Sequence, residues 1–203
     1  RTGFNHLEIA KTGDGYVVSM ESGVRMTIFG FTRDAVSWEK YRVNPDLSLR
    51  SFEVDEVING KPMKLKGKAV ADGFAITVST PEKTRKRFLR SKGPVYPPPV
   101  LNIYPLMQGA VAGKRYRLKM LDIEKVKLVG VKITVIGSEM LPAGKPAVHL
   151  KNNLYPFVDN DIWVDYGGNT IRESVHHGLI NTQAEDRESA EKFLQKHPGL
   201  IEK

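Results

Sequence analysis

A two-residue alternation of apolar and polar side chains runs through most of this chain and limits what it can fold into. Val24, Met26 and Ile28 alternate with Arg25 and Thr27, and Leu65, Gly67 and Ala69 with Lys64, Lys66 and Lys68. Phe74, Ile76 and Val78 keep the rhythm. Further on, Tyr116, Leu118 and Met120 alternate with Arg115, Arg117 and Lys119. Val129, Val131, Ile133 and Val135 alternate with Gly130, Lys132 and Thr134, and Ile171, Glu173 and Val175 with Arg172 and Ser174. Successive side chains on a strand point to opposite faces, so each segment offers one face to a core and one to water. All-parallel sheets have both faces covered, so the pattern predicts antiparallel sheet.

Turn signals separate these runs: Thr12-Gly13-Asp14-Gly15, Asn44-Pro45-Asp46, Asn59-Gly60, Ala71-Asp72-Gly73 and Tyr166-Gly167-Gly168-Asn169. Asn-Gly and Asp-Gly supply the positive φ of two-residue hairpins, so the spacing reads as a meander. Two segments break the rhythm. Gly93-Pro94-Val95-Tyr96-Pro97-Pro98-Pro99 lacks ladder donors and reads as an extended crossing. A short helix is expected after it, with Val100, Ile103, Tyr104 and Met107 on one face and Pro105 limiting its length. Over residues 182–197, Thr182 and Glu185 read as a capping box, Ala190, Phe193 and Leu194 as a narrow apolar stripe, and Pro198-Gly199 as a stop.

The predicted fold is mainly β: one large, curled antiparallel sheet of about ten strands, open or half-barrel, with a C-terminal helix and a short Pro-flanked helix. Residues 1–203 are read as a single β-rich domain, with the C-terminal helix and tail over 182–203. A curled sheet has a concave face, and a concavity left unfilled is a pocket.

Several chemistries have no residues to carry them. The chain has no cysteine, which excludes disulfides, thiolate metal sites and a cysteine nucleophile to pair with His149, His176 or His177. No Gly-x-Ser-x-Gly elbow is present. Gly13-Asp14-Gly15 and Gly167-Gly168 lack the context of phosphate loops and read as hairpin turns. The pair His176-His177 beside Glu173 reads as a polar strand end, since neighbouring strand residues face opposite ways. Asp159, Asp161 and Asp165 match no calcium-loop spacing. Polymer hydrolysis needs paired carboxylates, and Glu53, Asp55 and Glu56 are near one another, but they lie in an acidic stretch beside a turn. The sequence is read as non-enzymatic, with no catalytic residue, metal or cofactor.

Charge is the stronger signal. Lys and Arg number 31 against 23 Asp and Glu, a formal net charge of +8. Such an excess favours anionic partners. It is densest at Lys83, Arg85, Lys86, Arg87, Arg90 and Lys92, around Phe88-Leu89. Charge on both faces marks an edge or protruding hairpin, where it also blocks sheet-to-sheet aggregation. The functional alternative is an anionic surface such as phospholipid or lipopolysaccharide head groups, contacted by Arg85, Arg87 and Arg90. Nucleic acid is not expected, because no stacking platform of aromatics accompanies the run. Met26, Phe29, Trp38, Tyr41, Phe52 and Phe74 are the candidate lining of an oily pocket, where methionine and aromatic side chains tolerate a flexible acyl chain.

The segment Asp161-Ile162-Trp163-Val164-Asp165-Tyr166-Gly167-Gly168-Asn169-Thr170-Ile171-Arg172-Glu173, then Gly178-Leu179, resembles a group of exported bacterial β-rich proteins of unknown function. So do Pro97-Pro98-Pro99 through Leu106 and Gly113-Lys114-Arg115-Tyr116. The group is related to the region preceding transglutaminase-like domains and is similar in architecture to the periplasmic lipoprotein-carrier half-barrels. The resemblance implies a periplasmic or cell-envelope location. It also implies either a lipid-like ligand in the concave face or an accessory role in an exported transglutaminase-like or peptidase system. It carries no catalytic residues to this chain. The chain begins at Arg1 rather than Met, and an upstream segment is expected to have been removed; a cleaved export signal would suit that, but none is visible in these residues. No apolar run reaches the roughly 18 residues of a membrane span.

Overall fold

The structure, a computed structural model, describes residues 2–28, 31–154, 160–176 and 178–196. Phe29, Asp159 and His177 lie outside the described residues, as do the side chains of Phe193 and Leu194. The chain divides into two compact units, Arg1–Pro94 with Asp186–Lys203, and Val95–Glu185.

The first unit holds a seven-stranded antiparallel meander in chain order. Its strands are β1 (Gly3–Thr12), β2 (Gly15–Ile28), β3 (Phe31–Val43), β4 (Leu49–Ile58), β5 (Lys61–Val70), β6 (Gly73–Ser79) and β7 (Thr84–Arg90). The second unit holds a six-stranded antiparallel meander, also in chain order. It comprises β8 (Arg115–Asp122), β9 (Lys127–Leu141), β10 (Lys145–Asn152), β11 (Asn160–Val164), β12 (Thr170–Val175) and β13 (Ile180–Gln183). Both sheets are open, with edges at β1 and β7 and at β8 and β13. The fold is mainly β and antiparallel, as the alternation requires.

The turns form where the sequence places them. Between β4 and β5, Asn59 at φ 49° and Gly60 at φ 75° both take the left-handed region that a two-residue hairpin needs. The β-structure divides between two sheets at the prolines. Pro94, Pro97, Pro98 and Pro99 have no N–H to give, so β7 does not continue into β8. Tyr96 instead lies parallel to Met120 on β8, its N–H donating to Lys119 O at 2.8 Å and its carbonyl accepting from Leu121 N at 3.3 Å. The helical stretch after it is shorter than the apolar spacing suggests: a 3-10 turn at Pro98–Val100, then the single turn α1 (Tyr104–Met107). Val100 and Leu101 are buried while Met107 is exposed.

The C-terminal helix, α2 (Arg187–Lys196), starts later than its expected cap. Thr182 belongs to β13, opposite Glu173. The cap is Asp186, which accepts from Ser189 N at 2.8 Å and Ser189 Oγ at 3.0 Å. These bonds to its charged form hold the Asp186 carboxyl below its ordinary value.

Candidate functional site

Cross-strand register assigns every side chain of the first sheet to a face. Val18, Tyr41, Phe52, Gly67, Ile76 and Arg87 form one row across β2 to β7. Met20, Glu39, Val54, Leu65, Val78 and Arg85 form the next. Directly paired residues share a face, so both rows lie on one apolar face. Phe74 and Met26 share its parity, Phe74 opposite Leu89. The centre of this face is closed: Val18, Tyr41, Phe52, Leu65, Phe74 and Ile76 are all buried. Phe52 stands 6.5 Å from the Tyr41 ring, centroid to centroid, and its own ring covers Gly67.

A polar seam crosses the apolar face beside Tyr41. The Tyr41 hydroxyl donates to Glu39 Oε2, and Ser37 Oγ donates to Glu39 Oε1 at 2.9 Å. Ser22 Oγ lies 2.8 Å from Ser37 Oγ. Burial first, and the Glu39 charge second, push the Tyr41 hydroxyl well above its ordinary value, so it remains a donor.

Not all of the expected lining residues come together. Met26, Tyr41, Phe52 and Phe74 share the apolar face, whereas Trp38, opposite Glu21 and Asp55, lies on the other. Phe29 is outside the described residues. The basic run is divided in the same way. Arg85 and Arg87, both exposed, end the apolar rows, while Lys86, Phe88 and Arg90 face the other side. The three carboxylates considered for catalysis are also split. Glu53 and Asp55 hold Lys66 and Lys64 at 3.0 Å each on the opposite face, and Glu56 is buried on the apolar one. A small polar cleft of about 110 Å³ opens at the β1–β2 turn, where Arg50 pairs with Asp14. That is well below the roughly 300 Å³ of the smallest common ligand pockets.

The second sheet carries a cluster that the sequence reading missed. On one face, His149, Trp163 and Arg172 are successive cross-strand neighbours on β10, β11 and β12. The imidazole stacks on the indole at 4.5 Å and 14°, and the Arg172 guanidinium lies 4.9 Å from the indole centroid. His149 Nε2 is 2.8 Å from Asp161 Oδ1, and the Trp163 indole N–H donates to Glu139 Oε1. Both indole faces are covered, so Trp163 is not a platform for a flat ligand. Asp165 is occupied elsewhere, accepting from Asn169 N and Asn169 Nδ2 at 2.8 Å each in the β11–β12 turn. Only the register joins His149 to Trp163, and no local motif announces it.

The core face of the same sheet buries a polar trio. Asn160 Nδ2 donates to Glu173 Oε1 at 2.8 Å and to Asn152 Oδ1 at 3.3 Å. Burial raises the Glu173 carboxyl above its ordinary value of 4.5, and the bond from Asn160 offsets only part of this. A carboxyl raised on folding binds its proton more tightly in the folded chain. Its contribution is therefore most favourable below the ordinary glutamate range and is lost as pH climbs through the raised value. Glu173→Gln is expected to stabilise the second unit at neutral pH and to flatten this part of its pH profile. Urea midpoints measured against pH check both, and a profile unchanged in slope would contradict the assignment.

Comparison with known proteins bears on the fold alone. No family model matches the chain, and no curated protein matches it. Among solved structures it is similar to a β-barrel-like protein of the domain of unknown function DUF1849 from Brucella abortus. The TM-score is 0.63 at 12% identity, over 90% of this chain and 88% of that one. It is also similar to a DUF1089 family protein from Pseudomonas aeruginosa, with a TM-score of 0.51 at 14% identity, over 84% of this chain and 88% of that one.

Proposed function

We propose that this is a non-catalytic protein of the bacterial cell envelope whose first unit binds an amphipathic, lipid-like ligand. The observation that carries the reading is the strip where β6 meets β7. Phe74, Ile76 and Val78 of β6 lie opposite Leu89, Arg87 and Arg85 of β7, all on the apolar face. Val78 and Leu89 are half-buried and the two guanidiniums are exposed. An acyl chain laid along Val78 and Leu89 loses apolar surface to water, worth roughly 0.8 kcal/mol per methylene. Its anionic head then meets Arg85 and Arg87, which can grip a phosphate or carboxylate with paired N–H bonds. The resemblance to exported β-rich proteins and to the lipoprotein-carrier half-barrels supports the envelope location.

The test is native mass spectrometry of protein exported in a bacterial host and purified without detergent. The expected result is a bound amphiphile on the wild type, at least tenfold depleted in Arg85→Glu/Arg87→Glu with the fold intact. A wild-type chain that carries no amphiphile, and takes none up from mixed lipid, would overturn the reading. It would favour an accessory role in an exported transglutaminase-like or peptidase system.

A further inference from the structure

The face of the first sheet opposite the apolar one changes character from β4 to β7. At β4 and β5 its charges are matched, with Glu53 on Lys66 and Asp55 on Lys64. Beyond them the register sets Ser51, Lys68, Ala75 and Phe88 in one row and Glu53, Lys66, Thr77 and Lys86 in the next. Val70, Gly73 and Arg90 form a third. The acids stop at β4, and Lys68, Lys86 and Arg90 remain, all exposed. In their midst stand two exposed apolar side chains, Phe88 at 50% and Val70 at 40%. Lys86 and Arg90 flank Phe88 two residues away on either side, about 7 Å each. Lys68 is two strands away, about 10 Å. The nearest acids along the chain, Asp72 and Glu82, sit in the turns at opposite ends of β6.

We propose that this face, centred on Phe88 with Lys68, Lys86 and Arg90 around it, docks the protein on an anionic lipid bilayer. Edge protection explains cations on β7, but it does not explain a phenylalanine left half in water between them. An aromatic ring ringed by cations matches the membrane interface, where the ring enters the acyl boundary and the cations remain among the phosphates. A nucleic-acid strand is a poorer match. The small side chains of Ala75, Thr77 and Ser79 fill the neighbouring strand, and the next ring on this face, Trp38, stands on β3 four strands away, about 19 Å, so successive bases find no second platform beside Phe88. The docking face uses other side chains than the proposed ligand strip, on the reverse of the same strands, and extends that reading without resting on it.

Vesicle co-sedimentation tests the inference, with phosphatidylcholine alone and with phosphatidylglycerol added. The full chain is expected to bind only the anionic vesicles, and less as salt rises. Lys86→Glu/Arg90→Glu is expected to weaken binding at least tenfold. Arg85→Glu/Arg87→Glu changes net charge equally, but on the other face, and is expected to weaken it no more than about threefold. Phe88→Ala, with no change in charge, is expected to weaken it about fivefold. Should a glutamate pair fail to fold by circular dichroism, the glutamine pair replaces it. Equal losses in the two charge pairs, wild-type binding by Phe88→Ala, or preference for a single-stranded oligonucleotide over vesicles would each overturn the proposal. Loss of the co-purified amphiphile in Arg85→Glu/Arg87→Glu with docking retained separates this surface from the ligand strip.

Discussion

Phe52→Ala is expected to destabilise the first unit by about 3–5 kcal/mol, the range for removing a phenyl ring from a core. Phe52 is 2% exposed and sits in the middle strand of seven, between Tyr41 and Gly67 in its row of the apolar face. Its ring covers Gly67 on β5 and lies near Tyr41 on β3, so deletion opens a void against a residue with no side chain to move in. Partial collapse is therefore limited, and the loss falls toward the upper part of that range. Phe52→Leu, which keeps much of the volume, is expected to lose less than half as much. The chain has two tryptophans, Trp38 in β3 and Trp163 in β11, one per unit. Urea unfolding followed by Trp38 fluorescence in a Trp163→Phe background reads the first unit alone. A shift under about 1 kcal/mol for Phe52→Ala would mean the ring is not packed as described.

The ligand strip and the docking face share one geometric cause. The sequence shows a strand with cations on both sides, yet it gives no reason to keep Arg90 apart from Arg85 and Arg87 as a head-group contact until the core side is known. Register places them: Arg85 and Arg87 end the apolar rows, and Arg90 lies behind with Lys86. Alternation alone separates Arg90 from Arg85 and Arg87; which of the two sides meets the apolar rows depends on the partner strands. The alternation within one strand gives two faces and does not say which one meets the core. β3 makes the difficulty plain. Tyr41 and Val43 mark one parity as apolar, Val36 and Trp38 mark the other, and both Tyr41 and Val36 are buried. Grouping Trp38 with Tyr41 overlooks that they are three positions apart, an odd separation that puts them on opposite faces.

What was legible was local: strand periods, the Asn59-Gly60 hairpin, and the proline segment where one sheet stops. What was not legible depends on distance along the chain or on competition between equal local signals. His149 and Trp163 meet through the β10–β11 register. The start of α2 differs from the expected capping box. Thr182-x-x-Glu185 has the better motif, but Thr182 is held in a ladder by Glu173, so Asp186-x-x-Ser189 caps instead. Strand pairing satisfies the Thr182 backbone before a helix can claim it.

The same contest between local preference and packing decides Gly67→Val. Read from sequence, the change should help: glycine weakens a strand interior and valine favours one, a gain of up to about 1 kcal/mol. The structure reverses the sign. A Cβ on Gly67 would stand 2.5 Å from Phe52 Cζ, inside any real contact, and that ring is buried with its neighbours already in place. Gly67→Val is expected to destabilise the first unit by about 3 kcal/mol, since the ring must leave its rotamer or the strands must part. The Trp38 signal again measures it. Pairing the change with Phe52→Leu isolates the cause: if the clash is with the ring, Phe52→Leu/Gly67→Val loses less than the sum of its parts by more than about 1 kcal/mol. Simple additivity would place the damage in the backbone of β5, and a stabilised single variant would mean the ring does not lie over Gly67. The outcome also bears on the ligand strip, because Gly67 lies directly between Phe52 and Ile76 in the row that ends at Arg87. A row forced out of register there moves the guanidinium away from the apolar side chains it is proposed to serve.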